Sequence, residues 1–451
     1  MLNSNQIKSE SVFLKQVCVV AIPVALQCML QASFSIVDQI MIGQLGSVNI
    51  AAIGLAGKFS SIFSVVVSAV GAVTGIMVSQ FIGSGQTKES EKSLTLNLLI
   101  GFAIAVLFSL LCLLIPNQIM RMYIRDAATI DVSVNYLKII SITFIPIAGT
   151  TMISTMLRCM ERAGIPLFTT FIAAIFNTVL NYLLIFGKIG LPKMGVTGAA
   201  IATVISCIVN FMLTLSGLIY IYYTKKMKFH FSVHLKTMNA KQYGFILFPI
   251  LINEFLWSMG ENIYAAIYGH LGTDQCAAMT LTNPVQGLTI GALSGLAQAA
   301  GILIGKKLGN KDMKQAYHEA NKLIQYGLTG SVILSMILVI VKPFYVTLFQ
   351  VPDDVKYVAE QLLFVFAIIS PVKVLNMILG GGILRSGGKT KIIMWIDIIG
   401  TWGFGVPLGY ISAFVFELPI AYVYFILSLE EVIRLIISFV VFRKKMWMQS
   451  L

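Results

Sequence analysis

The residues best suited to chemistry in this chain are carboxylates in apolar company. Of its nineteen Asp and Glu, most fall between apolar runs, but Asp38, Glu254, Glu261, Asp397 and the Glu430/Glu431 pair fall within them. A charge near the middle of a bilayer costs about 2.5–3.5 kcal/mol even on insertion scales, so such groups are expected at ion or substrate sites. Asp38, in LQASFSIVDQIMIG, has only apolar or amide neighbours and no basic partner nearby. The bland alternative is an interfacial acid at the outer end of its span. Asn177 and Asn181, in FNTVLN, stand at i and i+4 and share one helix face. Thr203 follows in GAAIATVIS. One carboxylate with neutral amide and hydroxyl oxygens suits a hard monovalent cation such as Na+, or a proton. Helix–helix hydrogen bonding is the other use for such an Asn pair.

A second set lies further on. In ILINEFLWSMGENIY, Glu254 and Glu261 are seven residues apart and predicted to share a face. Lys373 (ISPVKVLNM) and Asp397 (MWIDIIGTW) are charges inside later apolar runs. Lys373 is expected either to touch substrate or to be the internal counter-ion of one of these acids. Glu430 and Arg434, at i and i+4, are expected to neutralise each other.

Other chemistries lack their residues. The six cysteines are scattered, with no CxxC pair or zinc spacing, so free thiols are expected. His230 and His234 sit four apart in a polar loop without a third ligand, which argues against a metal site. There is no Walker-type nucleotide motif and no nucleophile–base–acid set, so neither ATP-driven transport nor catalysis is expected, and no cofactor. Gly287, Gly291, Gly295 and Ala299 recur every four residues, a pattern for close helix approach.

The elements that must position these groups follow from composition. Over 451 residues the chain is 57% hydrophobic and 11% charged, with mean hydropathy +0.86, against roughly 25% charged in soluble proteins. Twelve apolar runs, from 17–42 to 418–442, are each long enough to cross a bilayer as a helix. The polar start MLNSNQIKSESVFLKQ lacks signal-peptide features, so the first span is expected to be retained. The loop 224–241 carries five lysines and no acid, and separates residues 1–223 from 242–451, six spans each. With an even number of spans both termini share a side. Only Arg121, Arg125, Lys138, Lys188, Lys193, Lys342 and Lys356 fall opposite, and Lys58 and Lys373 fall inside spans. The basic excess therefore predicts cytoplasmic termini in a multi-pass plasma-membrane protein. The formal charge of +13 is a topology and anionic-lipid signal, and no segment is long enough to build a nucleic-acid surface. Residues 43–83 align without a gap on 269–309, at an offset of 226, with GQLGSVNIAA answered by GHLGTDQCAA. The same offset matches Pro23 with Pro249. The expected fold is all-α, with twelve transmembrane helices in two pseudo-symmetric six-helix lobes. Such repeats place a substrate site between halves that rock.

Across essentially its whole length the chain resembles the multidrug and toxic compound extrusion (MATE) family. The resemblance rests on DQIMIGQLG, MVSQFIGSGQ, RAGIP, NTVLN with GVTGAAIAT, and in the second half YGHLGT, ILIGKKLGN and LRSGGKTK. It implies two lobes in a V, alternating access, and export of organic cations, drugs or other amphipathic compounds against Na+ or H+. It also implies that Asp38, fifteen residues after the kinking Pro23, is the cation site, completed by Asn177 and Thr203. Asn181 stands where many members have Asp, which weakens the negative charge there. A functional glutamate in the seventh helix points to Glu254, with Glu261, Asp397 and Lys373 as further second-lobe candidates. The expected partners are a small-molecule substrate and membrane lipid, the expected state a monomer. A lipid-linked oligosaccharide flippase of the same broad superfamily is the alternative.

Overall fold

The computed structural model describes residues 4–45, 47–123, 126–226, 229, 240–347 and 352–450. Among these residues it is helical, with no strand. The order is α1 (Ser4–Gly43), α2 (Ser47–Gly83), α3 (Thr87–Leu114), α4 (Pro116–Arg121), α5 (Ala127–Ile140), α6 (Phe144–Cys159), α7 (Gly164–Phe186) and α8 (Gly195–Thr224). Then come α9 (Ala240–His270), α10 (Thr273–Gly309), α11 (Met313–Thr347), α12 (Asp353–Asn376), α13 (Thr390–Asp397), α14 (Val406–Tyr410) and α15 (Ile420–Arg443). Wider π-helical turns follow α12 at Met377–Leu384, α13 at Ile398–Gly405 and α14 at Ile411–Val415. His230 and His234, and most of the loop 224–241, lie outside the described residues.

Among the described residues, eleven helical stretches are long and apolar enough to cross a membrane. Among them Ala127–Cys159 joins α5 to α6, Asp353–Leu384 extends α12, and Thr390–Val415 joins α13 to α14. The twelfth is α15, whose 24 residues suffice in length for a core of about 30 Å. It carries Glu430, Glu431 and Arg434 in mid-helix, so it reads as less apolar than it is long. Helix starts follow local chemistry. Asp126 caps α5, its carboxylate accepting from the Thr129 N–H at 2.9 Å and Thr129 Oγ at 2.6 Å. These bonds hold its carboxyl below the usual Asp range.

The chain forms two compact units. One comprises Met1–Met29, Ser79–Gly85 and Thr237–Leu451; the other, Leu30–Val78 and Gln86–Lys236. In the first unit, Tyr268, Leu362, Phe366, Val423 and Leu427 belong to one buried apolar cluster. There too, glycines let backbones meet. A Cβ on Gly295 of α10 would overlap the Ala21 carbonyl of α1, and Gly291 lies beside Cys28. The four-residue glycine stripe thus has its partner in the first half of α1, although Gly287 faces open space. At the ends of α2 and α10, a Cβ on Gly83 would overlap the Lys306 carbonyl, and one on Gly309 the Gln80 carbonyl. Under the 226-residue offset Gly83 corresponds to Gly309 and Gln80 to Lys306, so each repeat copy makes the same contact on the other. In the second unit, Phe63 stacks on Phe144 with ring centroids 4.2 Å apart, and Phe108 packs against both.

Candidate functional site

Among the described residues, a polar cluster interrupts the apolar helices in each unit. In Leu30–Val78 with Gln86–Lys236 the cluster is built on α1, α7 and α8. The i, i+4 spacing on α7 puts Asn177 and Asn181 on one face, and Asn181 Nδ2 donates to Asn177 Oδ1 at 3.2 Å. The same Nδ2 donates to Asp38 Oδ1 on α1 in a short hydrogen bond. Asn177 Nδ2 donates to Thr203 Oγ at 3.5 Å and to Ser206 Oγ at 3.3 Å, both on α8. Thr203 and Ser206 pass their own protons back to the carbonyls of Ala199 and Thr203. The result is one connected chain of amides and hydroxyls ending on a single carboxylate. Asn181 is 1% exposed, and its Oδ1 has no hydrogen-bond partner among the described residues. The structure thus brings together Asp38, Asn177, Asn181 and Thr203, residues far apart in sequence. It adds Ser206, which sequence reasoning missed; its position three residues after Thr203, on the same helix face, was the available signal. Pro23 lies inside α1, which continues through it, as its repeat counterpart Pro249 lies inside α9.

The second cluster lies in the other unit, around a cavity of about 250 Å³ bounded by α9, α10, α12 and α15. Glu261 and Lys373 line it, together with Tyr264, Ser428, Glu430 and Glu431. Tyr264 donates its hydroxyl proton to Glu430 Oε2 at 2.6 Å, and Asn376 Nδ2 donates to Glu431 Oε2 at 2.8 Å. Arg434 donates through Nε to Asp397 Oδ1 at 2.9 Å, and approaches Glu431 at 3.6 Å and Glu430 at 4.0 Å. The expected Glu430–Arg434 pair is therefore the longest of three contacts: the guanidinium is aimed at Asp397, and Glu430 leans on a tyrosine. Glu261 and Lys373 make no hydrogen bond, and no ion pair within 4.0 Å, among the described residues.

The four second-lobe candidates do not form one site. Glu254 accepts from Arg385 Nη1 and Nη2 at 3.4 Å each and does not line the cavity. The seven-residue spacing of Glu254 and Glu261 keeps them on one helix, about two turns apart, and their surroundings differ. Asp397 reaches the cavity's carboxylates only through Arg434. Tyr264 and Tyr268, three and seven residues after Glu261, are on its face and were legible by periodicity; Tyr424, which donates to Gln286 Oε1 at 3.1 Å, was not.

The MatE family model matches residues 23–183 and 249–411, once in each half of the chain. The transporter YisQ of Bacillus subtilis is 22% identical over 429 residues, covering 95% of this chain and 94% of its own. The probable multidrug resistance protein NorM of Pasteurella multocida is 26% identical, covering 88% and 86%. A crystal structure of the MATE transporter VcmN of Vibrio cholerae superposes with a TM-score of 0.88 at 18% identity, over 97% of this chain and 98% of that one. A MOP-superfamily transporter of Pyrococcus furiosus gives 0.83 at 16% identity, covering 96% and 95%. The two-lobe, twelve-helix transporter fold is thus shared along the full length, and with two family matches in register with its internal repeat, the chain belongs to the MatE family of multidrug and toxic compound extrusion transporters.

Proposed function

We propose that this protein is a cation-coupled antiporter that exports organic cations, drugs or other amphipathic compounds across the plasma membrane by alternating access. Its lobes are residues 1–223 and 242–451, joined by a cytoplasmic linker at 224–241. The observation that carries this reading is the single carboxylate of Asp38, tied through Asn181 and Asn177 to Thr203 with no basic residue bonded to it among the described residues. In surroundings of low dielectric such a carboxylate strongly favours a proton or a bound cation over remaining bare.

When Asp38 is ionised, Asn181 Nδ2 holds it. When Asp38 takes a proton, or Na+ settles beside it, that donor is misplaced. A half-turn of the amide then presents the partnerless Oδ1 to the O–H or the metal ion. The exchange of partners breaks the Asn181–Asn177 bond as well, so loading Asp38 disturbs α7 and its hold on α8. Ion and drug thereby exclude one another, which exchange requires. The protein acts as a monomer and needs no cofactor. The multidrug names of its relatives favour drug export over the flippase alternative.

The test is efflux of a fluorescent organic cation from loaded proteoliposomes, with inward proton and sodium gradients imposed separately. One of the two gradients should drive efflux. Efflux indifferent to both would contradict coupling.

A further inference from the structure

We propose that the cavity between α9 and the start of α13 holds the phosphate of an anionic phospholipid, with Lys389 and Lys391 supplying the opposite charge. The cavity has a volume of about 390 Å³ and is lined by Phe245, Gly388, Lys389, Thr390, Lys391 and Ile392. Among the described residues, two ammoniums therefore line it and no acid does. Thr390 ties the two helices together here, its hydroxyl donating to the Ile246 carbonyl at 3.0 Å. Neither lysine has an ion-pair partner among the described residues. Glu254, the first acid on α9 and about 13 Å along it from Phe245, is engaged by Arg385. Lys389 is half-buried, and Lys391 lies over the Phe245 ring, 4.7 Å from its centroid. A ring face is a weaker partner for an ammonium than a phosphate is. A basic pocket between membrane helices is a usual setting for an acidic headgroup.

The faces that flank the cavity point to a lipid independently. Phe245, Phe248 and Phe255 share one face of α9 and are 50%, 65% and 55% exposed. One turn on from Lys391, Trp395 of α13 is 58% exposed. No protein group covers this strip, and it starts at the two lysines. From Phe245 to Phe255 it runs about 15 Å, one leaflet of a hydrocarbon core of about 30 Å. A basic pocket at the head of an aromatic strip one leaflet long matches a molecule with an anionic head and an apolar chain. A soluble phosphate compound answers the lysines and leaves the strip bare. A neutral lipid covers the strip and leaves the lysines unanswered. A zwitterionic lipid brings a cation of its own, for which the cavity wall has no acid. That the lipid comes from the cytoplasmic leaflet rests on the topology proposed above; that it binds here does not.

The test is native mass spectrometry of the full-length protein in detergent, titrated with phosphatidylglycerol and with phosphatidylcholine of the same acyl chains. The first phosphatidylglycerol should bind at least about tenfold more tightly than the first phosphatidylcholine, equivalent to about 1.4 kcal/mol. Lys389→Gln combined with Lys391→Gln should abolish that preference. Lys225→Gln combined with Lys226→Gln, at an exposed basic pair just after α8, should leave it in place. Millimolar glycerol 3-phosphate, which has the phosphate without the tails, should not displace the lipid. Equal binding of the two lipids by the unaltered protein would overturn the proposal, and that comparison needs no variant to fold. A preference that survives the Lys389 and Lys391 changes would overturn it equally. So would one that is lost with Lys225 and Lys226, since attraction to surface charge at large would then explain it. Displacement by glycerol 3-phosphate would assign the cavity to a soluble phosphate compound and refute the lipid.

Discussion

Arg434 illustrates what a single residue can and cannot reveal before its neighbours are known. Its position four residues after Glu430 suggested a local pair, yet its shortest bonds go to Asp397, 37 residues earlier. The presence of charge inside apolar runs was enough to single out Asp38, Glu261, Lys373 and Asp397. The partner of Asp397 was not legible, because a guanidinium chooses among carboxylates by geometry that only packing sets. Asn181 was read as part of Asp38's shell and as a position where the negative charge is weakened, and it donates a hydrogen bond to Asp38. Since Arg434 and Asp397 are largely buried, removing one partner leaves the other unpaired at a cost of about 3–5 kcal/mol. Arg434→Met should therefore lower the unfolding midpoint of the purified protein sharply, and Arg434→Met combined with Asp397→Leu should recover much of the loss. A single variant as stable as the parent would contradict the assigned network.

Helices were legible as elements, because twenty apolar residues in lipid have few alternatives to a helix. The glycine stripe of α10 was legible as a packing device, but not its target. Gly295 abuts Ala21 of α1, whereas Gly287, of the same spacing, touches nothing within 4 Å. The paired contacts of Gly83 and Gly309 were visible only as two glycines in register. A periodic sequence marks a face, and which neighbour covers that face depends on the tertiary fold. The two kinds of glycine predict opposite signs. Gly309→Ala forces a methyl into the Gln80 backbone and should destabilise by about 1–3 kcal/mol, the usual range for overpacking. Gly287→Ala adds helix propensity in open space and should stabilise by up to about 1 kcal/mol. Thermal unfolding of both variants in one detergent checks the pair; a stabilising Gly309→Ala would refute the close approach of α2 and α10.

At the scale of the whole molecule, the repeat was the informative signal, since it persists when individual side chains drift. The family model matches twice, in register with the 226-residue offset, and the Gly83 and Gly309 contacts obey that offset too. What the sequence withheld is that residues 4–29 and Ser79–Gly85 belong to the same compact unit as the carboxy-terminal helices. The charge asymmetry predicts that the loop 224–241 and both termini face the cytoplasm. A cysteine introduced in that loop should resist impermeant maleimide on intact cells and react after permeabilisation; labelling from outside would reverse the assignment. The central claim is that ion and drug exchange through Asp38, and Asp38→Asn removes the charge while nearly keeping the shape. The measurement is gradient-driven drug transport in proteoliposomes, for the parent and this variant, with proton and sodium gradients imposed separately. The account predicts a variant that folds and inserts but exchanges under neither gradient. Exchange at the parental rate under either gradient would contradict it.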